Sequence, residues 1–247
     1  RIVTGYPQEE SEQLFEEIGY TDSLLNTGEL YHLWVIEGNF EQELPLQRAG
    51  LNVVWTEDAA PYKKRKVRVL NGAHTAMVFP ALLCGLETVG DCLADETINA
   101  YLRKCLFQCI LPVLGETDEN LAFASAVLER FANPYIRHQL KAISLNSVSK
   151  FTARVLPSLL EYKEKFGVYP HSLVFSLACL LYYYNRKEPQ DLPEVTAFIQ
   201  NHSLGEVLEN EKLWGADLRA MQTMIEEDYH RIETMDAGKG IEWLLSE

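Results

Sequence analysis

The spacing of apolar residues divides the chain into a mixed early part and a long helical part. Residues 9 to 18 carry an amphipathic pattern closed by Gly19, which predicts a short helix. Segments 30–37 and 51–55 are rich in β-branched and aromatic residues, which predicts one or two short strands. From about Tyr62 onward the pattern is helical almost to the end. The predicted helices span residues 64–88, 95–114, 118–130, 134–148, 152–165, 171–184, 191–201, 203–209 and 214–233.

Local signals support several of these helix ends. Asn133 followed by Pro134 predicts a helix start, and Gly167 after a lysine-rich turn predicts a helix end. Asp191 before Leu192 and Pro193 predicts another start. The chain has no internal repeat and no linker-like run, so a single mainly α-helical domain over residues 1–247 is the simplest account.

The charge balance excludes some partners. Twenty-two Lys and Arg residues stand against 36 Asp and Glu residues, and the formal net charge of -14 repels nucleic acids and anionic membrane surfaces. No apolar run is long enough to predict a membrane span, and the N-terminal residues form no signal-peptide core. The chain opens at Arg1 without Met, which predicts a fragment of a longer protein.

Cysteine usage favours a reducing compartment. The five cysteines are widely spaced and form no CxxC pair, which predicts a cytoplasmic protein with buried structural thiols. Cys105 and Cys109 share a helix face, but no His or acidic residue completes a metal site with them. We therefore predict no metal.

One constellation on a helix offers chemistry. The chain carries no GxGxxG after a strand, no P-loop, no HExxH and no GxSxG. Five basic residues fall within positions 63–68 and lead into a helix on which Lys66, Asn71 and His74 share an arc with apolar side chains. A lysine in a dry site beside other cations has a lowered pKa and can exchange a proton with an alcohol near neutral pH.

Each of these three residues also has a purely structural interpretation. Lys66 could extend its amine to solvent along an apolar stem, His74 could be a hydrogen-bonded core histidine, and Asn71 could bond within its own helix. The spacing alone leaves both interpretations open.

The spacing Lys66-x4-Asn71-x2-His74 resembles the signature of the polyol-specific long-chain dehydrogenases, the mannitol dehydrogenase family. Trp34-Val35-Ile36-Glu37 is similar to a WVIE stretch of that family. The run from Arg130 to Ile136 is similar to its RFxNPxI stretch, and Lys150 and Pro157 follow at matching spacing. Arg1-Ile2 resembles the end of another family element, so the resemblance runs from residue 1 to about 170.

The resemblance implies a helical fold similar to the C-terminal domain of 6-phosphogluconate dehydrogenase, and NAD as cofactor. It implies that Lys66 is the general acid and base, that Asn71 polarises the carbonyl, and that His74 and Lys150 orient the sugar chain. Family members carry an N-terminal Rossmann domain, which we expect to be the partner that binds NAD, and this chain corresponds to the C-terminal substrate half. Cofactor-binding residues and oligomeric state stay unknown.

Other segments, among them 28–34, 51–55 and 145–151, resemble the members that reduce sugar acids. Polyol-oxidising members tend to carry Arg eight residues before the lysine that matches Lys150, and Ala142 stands there. We therefore expect a small sugar acid as substrate, bound by Arg68, His138, Lys150 and Arg154. Other uronate reductases, polyol dehydrogenases and a catalytically dead helical interaction module are the alternatives.

Overall fold

The computed structural model describes residues 3–134 and 137–246, and their contacts divide the chain into two units, Arg1–Lys63 and Lys64–Glu247. The first unit contains two separate pairs of strands. Strands β1 (Val3–Gly5) and β2 (Thr27–Gly28) are antiparallel, whereas β3 (Trp34–Glu37) and β4 (Val53–Thr56) are parallel, with Trp34 opposite Val53. The strands predicted at 30–37 and 51–55 are confirmed. The β1–β2 pair was not predicted.

Helix α1 (Ser11–Ile18) of the first unit confirms the predicted short helix. Its amphipathic sequence is acidic on the exposed side, and Gly19 ends it with a φ of 81°, a left-handed conformation that glycine adopts without a steric penalty.

The second unit is helical, which confirms the mainly α-helical fold. Two helical stretches of this unit change to π geometry, at Lys66–Asn71 and at Cys105–Ile110, and a 3₁₀ turn lies at Arg219–Met221. Helix α2 (Ala60–Arg65) precedes the first π-helix. The remaining helices are α3 (Gly72–Leu83), α4 (Val89–Ala94), α5 (Glu96–Lys104), α6 (Leu111–Leu114), α7 (Asp118–Phe131), α8 (Leu140–Ile143), α9 (Ser147–Arg154), α10 (Leu156–Phe166), α11 (His171–Arg186), α12 (Pro193–Asn201), α13 (Leu204–Glu209), α14 (Glu211–Trp214), α15 (Gln222–Met235) and α16 (Ala237–Ser246).

Helix α11 is the centre of the second unit. It is buried continuously from Ser172 to Leu181 and packs against α3 and α15. The contact with α3 is close because small residues meet there, and the Ser176 hydroxyl donates a hydrogen bond of 2.8 Å to the Ala76 carbonyl. Residues 72–81 of α3 are all buried, so neighbouring elements surround this helix.

The structure corrects the helices predicted at 134–148, 152–165 and 214–233, and in the last of these the long α-helix begins only at Gln222, after the 3₁₀ turn. Asn133 and Pro134 do not start a helix. Gln139 instead forms a β-bridge with Thr88, where the Val89 N–H donates to the His138 carbonyl. A helix begins only at Leu140, because pairing with a distant segment outweighs the local start signal. The predicted helix at 152–165 is two helices that meet at Val155.

Candidate active site

The first π-helix explains how Lys66 and Asn71 come to the same side. Its hydrogen bonds join residues five apart, and the Gly72 N–H donates to the Val67 carbonyl at its end. Residues 66 and 71 therefore lie over one another, whereas an α-helix would separate them by about 140°. Lys66 is exposed and Asn71 is half-buried. The π geometry was not predicted from the sequence, and π-helical turns occur frequently at functional sites.

His74 lies one turn further along, in α3, and is buried with 6% of its surface exposed. Its ring stacks on Phe131 of α7 with centroids 3.9 Å apart, and it meets His138 edge to face at 5.2 Å. Burial, together with the nearby charges of His138, Arg154, Arg130 and Lys66, holds the His74 pKa well below its usual value. The ring is therefore neutral at pH 7.

The Nε2 atom of His74 is a buried polar atom for which the described part of the chain supplies no hydrogen-bond partner. Leaving such an atom unpaired costs about 1–3 kcal/mol, so it marks a position where a ligand group or water completes the bonding. Within the described residues His74 is therefore not a fully hydrogen-bonded core histidine, and its role at a ligand site stays a prediction.

His138 and Lys150 reach the same region from separate elements. His138 is half-buried beside the bridge at Gln139, and burial followed by the charge of Lys150 lowers its pKa. The Lys150 ammonium donates to the Ile143 carbonyl at 2.9 Å. Its own pKa is lowered by partial burial and by Arg154, against the opposing effect of Asp191.

Arg154 ends α9 beside the first turn of α3. Its Nη1 donates to the Thr75 hydroxyl at 3.4 Å, and Thr75 in turn donates to the Asn71 carbonyl at 2.9 Å. The backbone approach is tight, since a Cβ on Gly72 would lie 3.1 Å from the Arg154 carbonyl oxygen. Glycine at position 72 therefore lets α9 bring Arg154 to the site.

Lys66 is surrounded by positive charge. Partial burial, then Arg154 and Arg130, lower its pKa, which is the direction required of a proton-exchanging lysine. Sequence reasoning did not select Arg130 and Thr75 as site residues. Arg130 stands in the stretch that resembles the family, which was the available signal, whereas no motif in the sequence pointed to Thr75.

Arg68 does not join this cluster. It is buried and donates to the Ser158 hydroxyl and the Glu161 carboxylate, both at 2.8 Å. Lys64 also approaches Glu161, at 3.6 Å, and Arg65 forms an ion pair with Glu119. Arg68 therefore already has a carboxylate partner, which weighs against substrate binding, and its substrate-binding role stays a prediction.

The arrangement suits proton exchange with an alcohol and recognition of an anion. Three separate elements supply four cations beside two histidines of lowered pKa: Lys66 from the first π-helix, Arg130 from α7, and Lys150 and Arg154 from α9. In the described residues no three His, Cys, Asp or Glu side chains are grouped as metal ligands. Four of the five cysteines are buried as predicted, and Cys84 is partly so.

No helix within residues 3–134 and 137–246 is long and apolar enough to cross a membrane. The predicted resemblance at Arg1-Ile2 and at Ile136 lies outside the described residues.

Comparison with known proteins shows which sequences this chain is similar to. A profile described as "Mannitol dehydrogenase C-terminal domain" matches residues 58–236. The altronate oxidoreductase of Bacillus subtilis is 43% identical over 231 residues, which cover 88% of this chain and 48% of the relative. That of Yersinia pestis is 40% identical over 257 residues, which cover 95% of this chain and 53% of the relative. The chain thus spans about half the length of the curated relatives it matches.

Solved structures show the same fold. The mannitol 2-dehydrogenase of Pseudomonas fluorescens, solved as a ternary complex with NAD and D-mannitol, superposes with a TM-score of 0.82 at 20% identity. The superposition covers all of this chain and 53% of that one. A substrate-free D-sorbitol dehydrogenase gives a TM-score of 0.79 at 20% identity over 97% of this chain and 53% of that one.

Proposed function

The chain belongs to the mannitol dehydrogenase C-terminal domain family, and from this premise we propose that it is the substrate-binding half of an NAD-dependent oxidoreductase that interconverts D-tagaturonate and D-altronate. The observation that carries the proposal is the cationic cluster around the unpaired Nε2 atom of His74. A keto-uronate has a carboxylate that can pair with the cations. It also has hydroxyl and carbonyl oxygens that can bond to the imidazole. The altronate oxidoreductases among the relatives support this choice of substrate.

Lys66 is the proposed general acid and base. During reduction its ammonium gives a proton to the oxygen of the former carbonyl, so that the ketone becomes an alcohol. The neutral amine then regains a proton from water, which its exposure permits. Asn71, on the same side of the π-helix, donates a hydrogen bond to the developing alkoxide. In oxidation the same groups act in reverse.

Neutral His74 and the charged Lys150 and Arg154 orient the substrate in this proposal. The imidazole bonds a substrate oxygen through Nε2, and the guanidinium pairs with the carboxylate. His138 supports the His74 ring edge to face. Arg130 adds to the positive field that draws an anionic substrate into a protein of net charge -14.

The reduced nicotinamide, when bound, supplies the hydride. The described residues hold one parallel strand pair, β3 with β4, which is too small for a dinucleotide-binding sheet. We therefore assign NAD binding to the part of the relatives' length that this chain does not cover. The family match starts at residue 58 and the two units divide after Lys63, so residues 3–57 precede the helical substrate domain. We place the enzyme in the cytoplasm, where the five free cysteines stay reduced.

Steady-state reduction rates of the full-length gene product test the proposal. Oxidation of NADH is followed with tagaturonate, fructuronate and fructose at low and high salt. The kcat/KM for tagaturonate should exceed that for fructose by roughly tenfold or more, which is equivalent to about 1.4 kcal/mol. This lead should shrink as salt screens the charges. Arg154→Gln should reduce the lead, whereas Arg219→Gln, which breaks an exposed ion pair, should not. Equal activity on uncharged fructose would refute a sugar-acid substrate, and no activity on any substrate would favour an interaction module.

A further inference from the structure

Thr75 has a hydroxyl group whose bonding is completely determined. The side chain is 1% exposed, and its single proton is donated to the Asn71 carbonyl at 2.9 Å. A hydroxyl has one proton and two lone pairs, so toward Arg154 it can only accept. The Arg154 Nη1 atom lies 3.4 Å away in that direction. The hydroxyl therefore offers Arg154 a fixed acceptor and no alternative orientation.

Arg154 differs from Arg68 in how its charge is balanced. Arg68 is neutralised by the Glu161 carboxylate, whereas across residues 3–134 and 137–246 Arg154 forms no ion pair. Its guanidinium is anchored by the neutral hydroxyl of Thr75 while partial burial lowers its pKa. A neutral anchor fixes the direction of a cation without cancelling its charge, which leaves that charge for an anionic ligand.

The same residue touches the π-helix. The Asn71 carbonyl that accepts from Thr75 belongs to the last residue of the π segment, whose side chain is the proposed alkoxide donor. Gly72, the next residue, is where the α9 backbone makes its closest approach. The base of Arg154 is thus placed by Gly72 and the tip by Thr75.

We propose, resting on the proposed function, that Thr75 is a positioning residue: its hydroxyl aims the Arg154 guanidinium at the substrate carboxylate and so sets the preference for anionic over uncharged ketoses. Thr75 itself does not touch the substrate. If Thr75 only hydrogen-bonds to the backbone of its own helix, its replacement should have no effect on substrate preference.

Thr75→Val removes the hydroxyl and keeps the branched shape, and Thr75→Ser keeps the hydroxyl. In the full-length enzyme Thr75→Val should raise KM for tagaturonate roughly tenfold, the usual size for losing a hydrogen bond to a charged group, with less than about a twofold change for fructose. Thr75→Ser should restore the preference. Should Thr75→Val not fold, Thr75→Ala serves as a second variant without the hydroxyl.

The double-mutant cycle separates positioning from a structural effect. In an Arg154→Gln background Thr75→Val should change KM for tagaturonate by less than about twofold, because the group it aims is gone. Equal losses in both backgrounds, or equal losses for tagaturonate and fructose, would overturn the proposal.

A measurement that does not depend on catalysis distinguishes failure of the Thr75 proposal from failure of the proposed function. Nitrogen relaxation of the Arg154 guanidinium should show greater mobility in Thr75→Val than in the wild type and Thr75→Ser. A wild-type enzyme inactive on tagaturonate would contradict the proposed function while this measurement still tests Thr75. Unchanged Arg154 mobility in Thr75→Val would refute the positioning role.

Discussion

Gly72→Ala tests whether the close approach of α9 to α3 builds the site. A Cβ at this position would lie 3.1 Å from the Arg154 carbonyl oxygen, 3.6 Å from the Val67 carbonyl oxygen and 3.8 Å from Ile110 Cδ1. The first contact is the critical one, because a backbone oxygen cannot rotate away as the end of a side chain can. The backbone at Arg154 must therefore move by a few tenths of an ångström.

Two free-energy contributions of opposite sign act on this variant. Alanine is favoured over glycine inside a helix by about 0.8–1.0 kcal/mol, and Gly72 has an ordinary helical φ of -62° that alanine can adopt. Overpacking a buried contact costs about 1–3 kcal/mol. The free energy of unfolding should therefore fall by about 0–2 kcal/mol, which leaves the protein folded.

The kinetic effect should exceed the effect on stability. A misplacement of about 1 Å costs roughly 10²-fold in rate, so the smaller shift forced on Arg154 should cost roughly tenfold in kcat/KM for the anionic substrate. Urea unfolding and NADH oxidation on the same preparation measure the two effects.

Gly90→Ala in α4 is the matched control. Its Cβ would make only an ordinary contact of 3.7 Å with Thr88 Oγ1. It should leave kcat/KM unchanged and could raise the free energy of unfolding by up to about 1 kcal/mol. If Gly72→Ala behaves like Gly90→Ala in both assays, the close approach does not place Arg154 and this reasoning is wrong.

Three further predictions address single residues. Lys66→Ala in the full-length enzyme should lower kcat by roughly 10² to 10⁴, and a near-normal kcat would make Lys66 a structural lysine. Because the His74 pKa is lowered from 6.5, the unfolded state binds more protons than the folded state below about pH 6.5. The free energy of unfolding, measured with urea, should therefore decrease as the pH is lowered below about 6.5, by at most about 1.4 kcal/mol per pH unit for this group. His74→Gln should flatten that dependence, and an unchanged slope would contradict it. Arg68→Gln should lower the melting temperature while changing KM for the anionic substrate less than Arg154→Gln does; the reverse order would restore Arg68 as a substrate-binding residue.

Helix limits were predictable where the stabilising contact is local. Helix α7 begins after Thr117, whose side chain accepts from the Asn120 N–H, and the predicted start at residue 118 is confirmed. Helix α10 ends at Gly167, with a φ of 75°, as the lysine-rich turn before a glycine indicated. Within such segments the residues that set the boundary are neighbours in sequence, so their pattern is sufficient.

Boundaries that depend on distant partners were not predictable. The bridge between Thr88 and Gln139 joins residues about fifty positions apart, and it overrides the start signal at Asn133. Helix α16 was missed because Gly238 and Gly240 weaken its helical pattern, although packing against α5 and α15 stabilises it. In both cases tertiary contacts, rather than the local sequence, determine where the helix forms.

The positive charge of the site shows why a basic run in a sequence is a poor guide to a binding site. The run at 63–68 is the densest cluster of cations, yet Arg65 and Arg68 are paired with carboxylates contributed by other helices. The charge that remains for a ligand comes from Lys66 together with Lys150 and Arg154, which are more than eighty residues away along the chain. A cation that is already paired with a carboxylate contributes little to ligand binding, however many other cations lie nearby, because an anionic ligand would have to displace that carboxylate. Under the proposed function, substrate preference therefore depends on which cations the fold leaves without a carboxylate, and Arg154, beside the Thr75 hydroxyl, is the cation on which the proposed preference rests.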